Sequence, residues 1–375
     1  MFAFAERTGL DSPRPPQRYL WTDAFALSNF LVLAQATAES RPRRLAQILI
    51  GQVHRVLGRH RNDDGRRGWI SGLDEVSGEE HPTHGGLRIG KPLPERAPGA
   101  PFDERLEWER DGQYFHYLTR WMEALDRAAF ALREPQCNRW ACELAAAARR
   151  GFVQRRGGRL HMTWKMSIDL SRTLVPSMGQ HDPLDGLVTC LELDAGAARL
   201  GIRAQVPDLS PAVADFAALC AGADWATSDA LGLGGLLMDA CRIARLPSGE
   251  DAPGQDALLR RVLAAALEGL AMWRARRELE QPASQRLAFR EIGLAIGLLR
   301  WASLPRDATS AVASERDALQ PWLALGPVMI AFWREPARQR DPSWSAHRDI
   351  NAVMLASGLL PEAGLRPPRS APSAR

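Results

Sequence analysis

Eleven segments of this chain repeat apolar residues at three- and four-residue steps, and that spacing restricts it to a helical architecture. They run over 22–37, 43–59, 112–133, 135–153, 183–195, 209–222, 228–245, 255–277, 286–303, 316–334 and 346–358. Short connections pair them into helical hairpins. Strand signals are few. The best is RLHMTWKMSIDL (159–170), which follows the turn Gly157–Gly158 and predicts a short β-hairpin. With 375 residues, 45% of them hydrophobic, the chain can bury a large core. Length alone allows two or three domains; the hairpin pattern predicts one closed domain over 1–365.

One connection breaks the pattern. Residues 60–111 are rich in Gly, Pro and charge, yet carry Trp69, Ile70, Leu87, Ile89, Phe102 and Trp108. A free linker has few such groups. The segment is therefore predicted to be an ordered flap packed over the body. The tail 366–375, RPPRSAPSAR, is predicted to be disordered.

A net charge of +4, from 48 basic and 44 acidic residues, is too balanced for a nucleic-acid or membrane footprint. Of the basic residues 46 are arginine, which singles out Lys91 and Lys165. The five cysteines, Cys137, Cys142, Cys190, Cys220 and Cys241, form no CxxC and no zinc-finger spacing with histidine. They read as reduced thiols of a cytoplasmic protein. No signal peptide is expected from MFAFAERTGLDSPRPP, and no apolar run is long enough to span a membrane. No cofactor is expected, since GLGGLL lies inside a helical segment without a preceding strand, and GxGxxG and GxSxG are missing. HPTH (81–84) has H-x-x-H spacing, but Pro82 opposes a helix, so no metal site is expected there either.

A weak repeat runs through the helices. Alternate ones begin with polar or aromatic residues and then turn apolar and small: WTDAFALSNFL (21–31), DGQYFHYL (111–118), GQHDPLDGL (179–187), TSDALGLGGLL (227–237), LAFREIGLAIGLL (287–299) and SAHRDINAVMLA (345–356). The helices between them are richer in arginine and alanine. Six inner helices with outer partners would close into a ring of hairpins, with the polar starts gathered at one end.

This organisation resembles the six-hairpin, or (α/α)6-toroid, glycosidase-like superfamily. The stretches RYLWTDAFALSNFL, GWISGL, GGLRIGKPLPER, WERDGQYFHYLTRWM, WKMSIDLSR and PSMGQHDPLDGL are also similar to an uncharacterised bacterial family within it. The resemblance implies an all-α toroid over most of residues 2–360. It does not name the reaction, because the toroid also hosts epimerases, lyases and terpenoid cyclases.

Candidate site residues lie at the helix starts. W-x-D plus an aromatic, in WTDAF, resembles the segment carrying the single catalytic aspartate of unsaturated-glucuronyl hydrolases. On that likeness Asp23 is the acid, desolvated by Tyr19, Trp21 and Phe25; otherwise Thr22 or Asp23 is a helix cap. In VPSMGQHDPLDGLVT (175–189), Asp182 suits an N-cap, Pro183 the N1 position and Asp185 the N3 position. The helix dipole would then keep both acids ionised, suited to a base or to binding a sugar hydroxyl rather than to donating a proton. His181 beside them would gain a proton more easily. In HRDIN, His347 and Asn351 lie four apart on one helical face, with Arg348 and Asp349 between them. Tyr114, His116 and Tyr117 on DGQYFHYL, and Tyr19, fall near the same mouth or simply pack the core. Trp164 and Lys165 precede the third inner helix. Lysine could hold a carboxylate or carbonyl oxygen, or be an ordinary solvated residue. Of the twelve tryptophans, many lie near helix ends, where flat faces beside acids suit sugar rings.

The reading is an enzyme that hydrolyses a glycosidic or unsaturated-sugar linkage, with Asp23 as acid and Asp182 or Asp349 as base. Trp21, Tyr114, His116, Trp164, Lys165, His181, Asp185, His347 and Arg348 would bind a small oligosaccharide or glycoconjugate. The alternatives are an epimerase using His161, His181 or His347, and a non-catalytic module that holds an oligosaccharide or a partner protein.

Overall fold

The computed structural model describes residues 1–37, 39–247 and 252–360, so the tail expected over 366–375 lies outside the described residues. The chain divides into two compact units, Met1–Ala221 and Gly222 onward. Both are mostly helical, and the first carries two small antiparallel sheets.

In the first unit a short helix α1 (Phe2–Arg7) precedes α2 (Leu20–Thr37) and α3 (Ser40–Leu57). The segment between α3 and the next long helix holds α4 (Glu75–Glu80) and α5 (Glu104–Glu109), followed by strand β1 (Gln113–Tyr114). Then come α6 (Phe115–Ala131) and α7 (Gln136–Phe152), strands β2 (Val153–Arg156), β3 (Arg159–Met162), β4 (Lys165–Met166) and β5 (Thr173–Val175), and helices α8 (Asp182–Leu200) and α9 (Ser210–Cys220). Helices α2, α6 and α8 form an inner row, α2 against α6 and α6 against α8. Each is backed by its own partner, α3, α7 and α9. The burial follows the sequence. The first three turns of α2 are almost wholly buried, because apolar and small residues surround them on every side. By contrast α3 buries Leu45, Leu49, Val53 and Leu57 on one stripe and exposes its arginines. One of these, Arg43, donates to the Leu132 carbonyl at 2.6 Å, satisfying an orphan acceptor at the end of α6.

The predicted hairpin forms as β2–β3 around Gly157–Gly158, both with positive φ. A second sheet, ordered β1-β4-β5, ties the start of α6 to the segment before α8. The 60–111 segment is folded onto the first unit. Trp69, Ile70, Leu87 and Ile89 are buried, while Phe102 and Trp108 stay exposed. Asp111 anchors it from below. Its carboxylate accepts from the Gly90 and Lys91 amides at 3.0 and 3.3 Å and pairs with Arg88 and Arg61 at 2.5 and 3.3 Å.

The second unit repeats the arrangement. Helices α10 (Ala230–Ile243), α11 (Ala252–Ala275), α12 (Ala288–Ala302), α13 (Ala313–Leu319), α14 (Leu325–Arg334), α15 (Pro336–Gln339), α16 (Pro342–Ser345) and α17 (Arg348–Leu359) follow in order. Here α10, α12 and α17 form the inner row, with α11 behind α10 and α14 behind α12. The predicted helix 316–334 is broken, because Pro321 lacks the N–H that would continue α13 and starts a 3₁₀ turn instead. The predicted helix 183–195 runs on to Leu200, where Gly201 at φ 70° ends it in a left-handed cap.

The glycines of GLGGLL set the approach of α10 to α12. A Cβ on Gly234 would overlap the Gly293 carbonyl, and one on Gly297 would press on Gly234, whereas Gly235 faces open space. Gly234→Ala is therefore expected to cost about 1–3 kcal/mol. Gly235→Ala is expected to stabilise by up to about 1 kcal/mol through helix propensity. Denaturant unfolding of the two variants separates these outcomes, and equal effects would contradict the contact.

Candidate functional site

The site is built on the starts of α2, α6 and α8 in the first unit. Asp23, four residues into α2, turns back so that its Oδ2 accepts the Tyr19 amide at 2.9 Å. Thr22 Oγ1 donates to the Tyr19 carbonyl at 3.0 Å. The other carboxylate oxygen of Asp23 lies 3.4 Å from Arg18 Nη1, and both side chains are buried. Arg18 also donates to the Thr8 carbonyl at 2.5 Å. Sequence reasoning offers Asp23 as an acid desolvated by rings. The structure places a guanidinium beside it, and the carboxylate holds the backbone at the start of α2.

Asp185 is used in a similar way. It accepts from the Thr119 hydroxyl and pairs with Arg120, both on α6. Arg120 continues to Glu123 at 3.0 Å, and Glu123 to Arg127 at 2.5 Å, all buried. This network locks α8 to α6.

Asp182 differs. The N-cap of α8 is His181, so Asp182 is the first helical residue and the expected register is off by one. Its side chain is buried, and its one ion-pair neighbour among the described residues is His116, with Nδ1 3.9 Å from Oδ1. Oδ2 is buried with no hydrogen-bond partner. Gly179 sits so close that a Cβ there would overlap the carboxylate. Burial, and then the neighbouring Asp185 charge, push the Asp182 carboxyl up to about 7; a backbone hydrogen bond from Gly179 offsets only part of this. The helix dipole argues for a low value, but desolvation outweighs it.

An aromatic wall stands next to this carboxyl. Tyr114 lies nearly parallel to His116, with centroids 5.8 Å apart, and edge-on to Tyr117 at 5.1 Å. Trp21 contacts His116 and Tyr117 at 5.9 and 5.1 Å. The Tyr19 and Tyr117 hydroxyls share a hydrogen bond of 2.7 Å. Trp164 packs on Tyr114 at 4.9 Å, and its Nε1–H donates to Ser177 Oγ at 2.9 Å. The buried Tyr114 hydroxyl has no partner among the described residues. Desolvation holds His116 in its neutral form, lowering its pKa to about 4. His181 is half-buried at the N-cap of α8.

Lys165 is fully buried and is not offered to a ligand. Its Nζ lies 3.0 Å from Glu107 Oε1 and donates to the Glu107 and Arg110 carbonyls at 2.5 and 3.0 Å. Burial pulls its pKa down, against the pull of Glu107. Lys91, the other lysine singled out in the sequence, stands 5.7 Å over the Tyr19 ring at the edge of the cluster.

The HRDIN residues belong to the second unit. His347 is the N-cap of α17 and touches Phe289 at 5.5 Å; His347 and Arg348 are exposed and Asp349 is half-buried. Asn351 does not join His347 on an open face. It is buried and donates to the Trp344 carbonyl at 3.0 Å.

Sequence reasoning overlooked the arginines. Arg286 pairs with Glu291 through both oxygens, at 2.7 and 2.6 Å, and Trp333 Nε1–H donates to the same carboxylate at 2.8 Å. Arg286 precedes Glu291 by five residues, as Arg18 precedes Asp23, and both acids stand fourth in an inner helix. That spacing was the available signal. The five cysteines are buried free thiols. His81 of HPTH meets Glu143 at 2.7 Å. Among the described residues no group of three or more His, Cys, Asp or Glu could hold a metal ion, and no helix is long and apolar enough to cross a membrane.

A carboxyl raised in the folded state holds its proton more tightly there than in the unfolded chain. Wild-type stability therefore loses an Asp182 contribution as pH rises from about 4 to about 7. Asp182→Asn should gain on wild type across that window, by on the order of a few kcal/mol. Unfolding curves at pH 4, 5.5 and 7 test this; a constant difference between the two proteins would contradict it. The chain matches no protein-family model and no curated protein sequence, so its site is read from its own geometry.

Proposed function

We propose that the chain is a six-hairpin toroid of the glycosidase-like kind, and that it hydrolyses a glycosidic or unsaturated-sugar linkage with Asp182 as proton donor. The observation that carries this reading is the buried Asp182 carboxyl, beside a wall of rings and with no Lys or Arg paired to it among the described residues. A group titrating near neutrality is half protonated at working pH. It can donate to a leaving oxygen or an unsaturated carbon. Once anionic, it can take a proton from the attacking water. One carboxyl then serves both steps, as in the single-aspartate hydrolases that WTDAF resembles, with the role moved from Asp23 to Asp182.

The rings suit a sugar. Tyr117 and Trp164 are half-buried rings packed on the buried Trp21 and Tyr114, and their apolar faces suit sugar C–H groups. The Tyr114 hydroxyl and the neutral His116 ring can hydrogen-bond sugar hydroxyls. One contact also favours an epimerase reading: His116 and Asp182 form a neighbouring acid–base pair.

A screen of chromogenic glycosides, defined oligosaccharides and unsaturated uronides tests the proposal. New reducing ends should form. Asp182→Asn should lower kcat by about 10²–10⁴-fold with a smaller change in KM. Because the donor must be protonated, kcat/KM should fall as pH rises through about 7. Products of unchanged mass would favour the epimerase. A folded Asp182→Asn protein with wild-type turnover would remove Asp182 from the chemistry.

A further inference from the structure

We propose that the outward face of the β2–β3 hairpin is an anion-binding surface that docks an acidic saccharide chain, with a carboxylate on each ring, rather than a neutral glycan. This rests on the sugar-active reading and deepens it by naming the class of sugar. The stretch RRGFVQRRGGRLH (149–161), from the end of α7 through the hairpin, holds five arginines and no acid, against a net charge of +4 for the whole chain. Outside this stretch the charge of the chain is balanced.

Strand register sorts these residues onto two faces. Val153 lies opposite Met162, and Arg155 opposite Leu160. That face turns to the body: Met162 is buried, and Arg155 reaches Asp215 of α9 at 3.4 Å. Arg149 takes the same carboxylate at 2.7 Å. The other face carries Gln154 opposite His161 and Arg156 opposite Arg159. Gly157 and Gly158, both at positive φ, make the turn that brings the two arginines together. Arg156, Arg159 and His161 are exposed, and among the described residues no carboxylate pairs with them. Arg156 donates through Nε and Nη2 to Gln154 Oε1 at 3.2 and 2.6 Å, which lays its guanidinium along the strand.

Like charges directly opposite each other in an antiparallel pair destabilise it. An oxyanion bound between Arg156 and Arg159 removes that repulsion, and each guanidinium can fork onto a carboxylate with two hydrogen bonds. The footprint decides which anion. Two arginines and a histidine on a two-stranded ribbon suit a few carboxylates spaced along a sugar chain. A nucleic-acid surface needs on the order of 6–10 phosphate contacts, and the balanced remainder of the chain supplies no excess charge for them. The hairpin also borders the candidate site, since β3 runs through Thr163 into Trp164, which packs on Tyr114.

The test uses the full chain carrying Asp182→Asn to prevent turnover, with and without Arg156→Gln plus Arg159→Gln. Calorimetry at low and high salt measures binding of hexagalacturonate, neutral cellohexaose and an oligo(dT) strand. Hexagalacturonate should bind, about five- to tenfold more weakly in the double variant. Salt should weaken the parent and narrow that difference. Cellohexaose affinity should not respond to the arginines. Without ligand the double variant should melt at or above the parent temperature, because the repulsion is relieved. Unchanged hexagalacturonate affinity in the double variant, or no binding at millimolar concentration, would overturn the surface. So would melting well below the parent, which makes the arginines structural. Arginine-dependent binding of oligo(dT) tighter than that of hexagalacturonate would replace the saccharide with a nucleic acid. The two readings fail separately. Arginine-dependent hexagalacturonate binding, with no saccharide cleaved by the wild type, keeps the surface and sinks hydrolysis. Asp182-dependent cleavage confined to neutral oligosaccharides does the reverse.

Discussion

Arg120 meets Asp185 at the junction of α6 and α8, and the chemistry next to it depends on that pairing. A buried ion pair tolerates no missing partner: removing one member typically costs about 3–5 kcal/mol. The same device recurs at other inner-helix starts, as Arg18–Asp23 on α2 and Arg286–Glu291 on α12. In each case an arginine pairs with an acid in the first turn of an inner helix. The first turns of α2, α8 and α12 are largely buried, so polar groups there need such partners.

Arg120 pairs with Asp185 and Glu123, while the ion-pair neighbour of Asp182 among the described residues is His116. That carboxyl faces a desolvated setting, a nearby like charge and a neutral histidine, and it keeps its proton to about pH 7. Two aspartates three residues apart thus have opposite surroundings, one paired with an arginine and one desolvated beside a histidine. The rings of Trp21, Tyr114 and Tyr117 complete the setting, and the Lys165–Glu107 pair holds the adjoining surface in place.

The helices were legible because apolar spacing records burial directly; ten of the eleven segments appear close to their expected bounds, and the one that breaks does so at Pro321. The hairpin at Gly157–Gly158 was legible because two positive-φ residues demand glycine. The helix starts also announced themselves as polar. What the sequence could not assign was which acid receives an arginine. With 46 arginines, no single one stands out until distance selects it. Asp23 therefore read as a candidate acid although Arg18 holds it. The rarity of Lys165 correctly marked it as unusual, but burial makes it an anchor rather than a ligand group. Asp182 read as an ionised helix-start carboxylate suited to a base rather than to a proton donor, because one-dimensional spacing carries the helix dipole but not the desolvation that opposes it. The exposure of Trp108 and Phe102, in a segment that buries Trp69, Ile70, Leu87 and Ile89 but also exposes Val76, Leu93 and Leu106, was equally invisible.

The central claim is that Asp182 is protonated near neutral pH while Asp185 beside it serves as the partner of Arg120. Carbon-13 NMR of aspartate carboxyl groups, with the Asp182 signal assigned by its disappearance in Asp182→Asn, measures this directly. The account predicts a titration midpoint near 7 for that signal. A midpoint close to 4, as for an exposed aspartate, would contradict it.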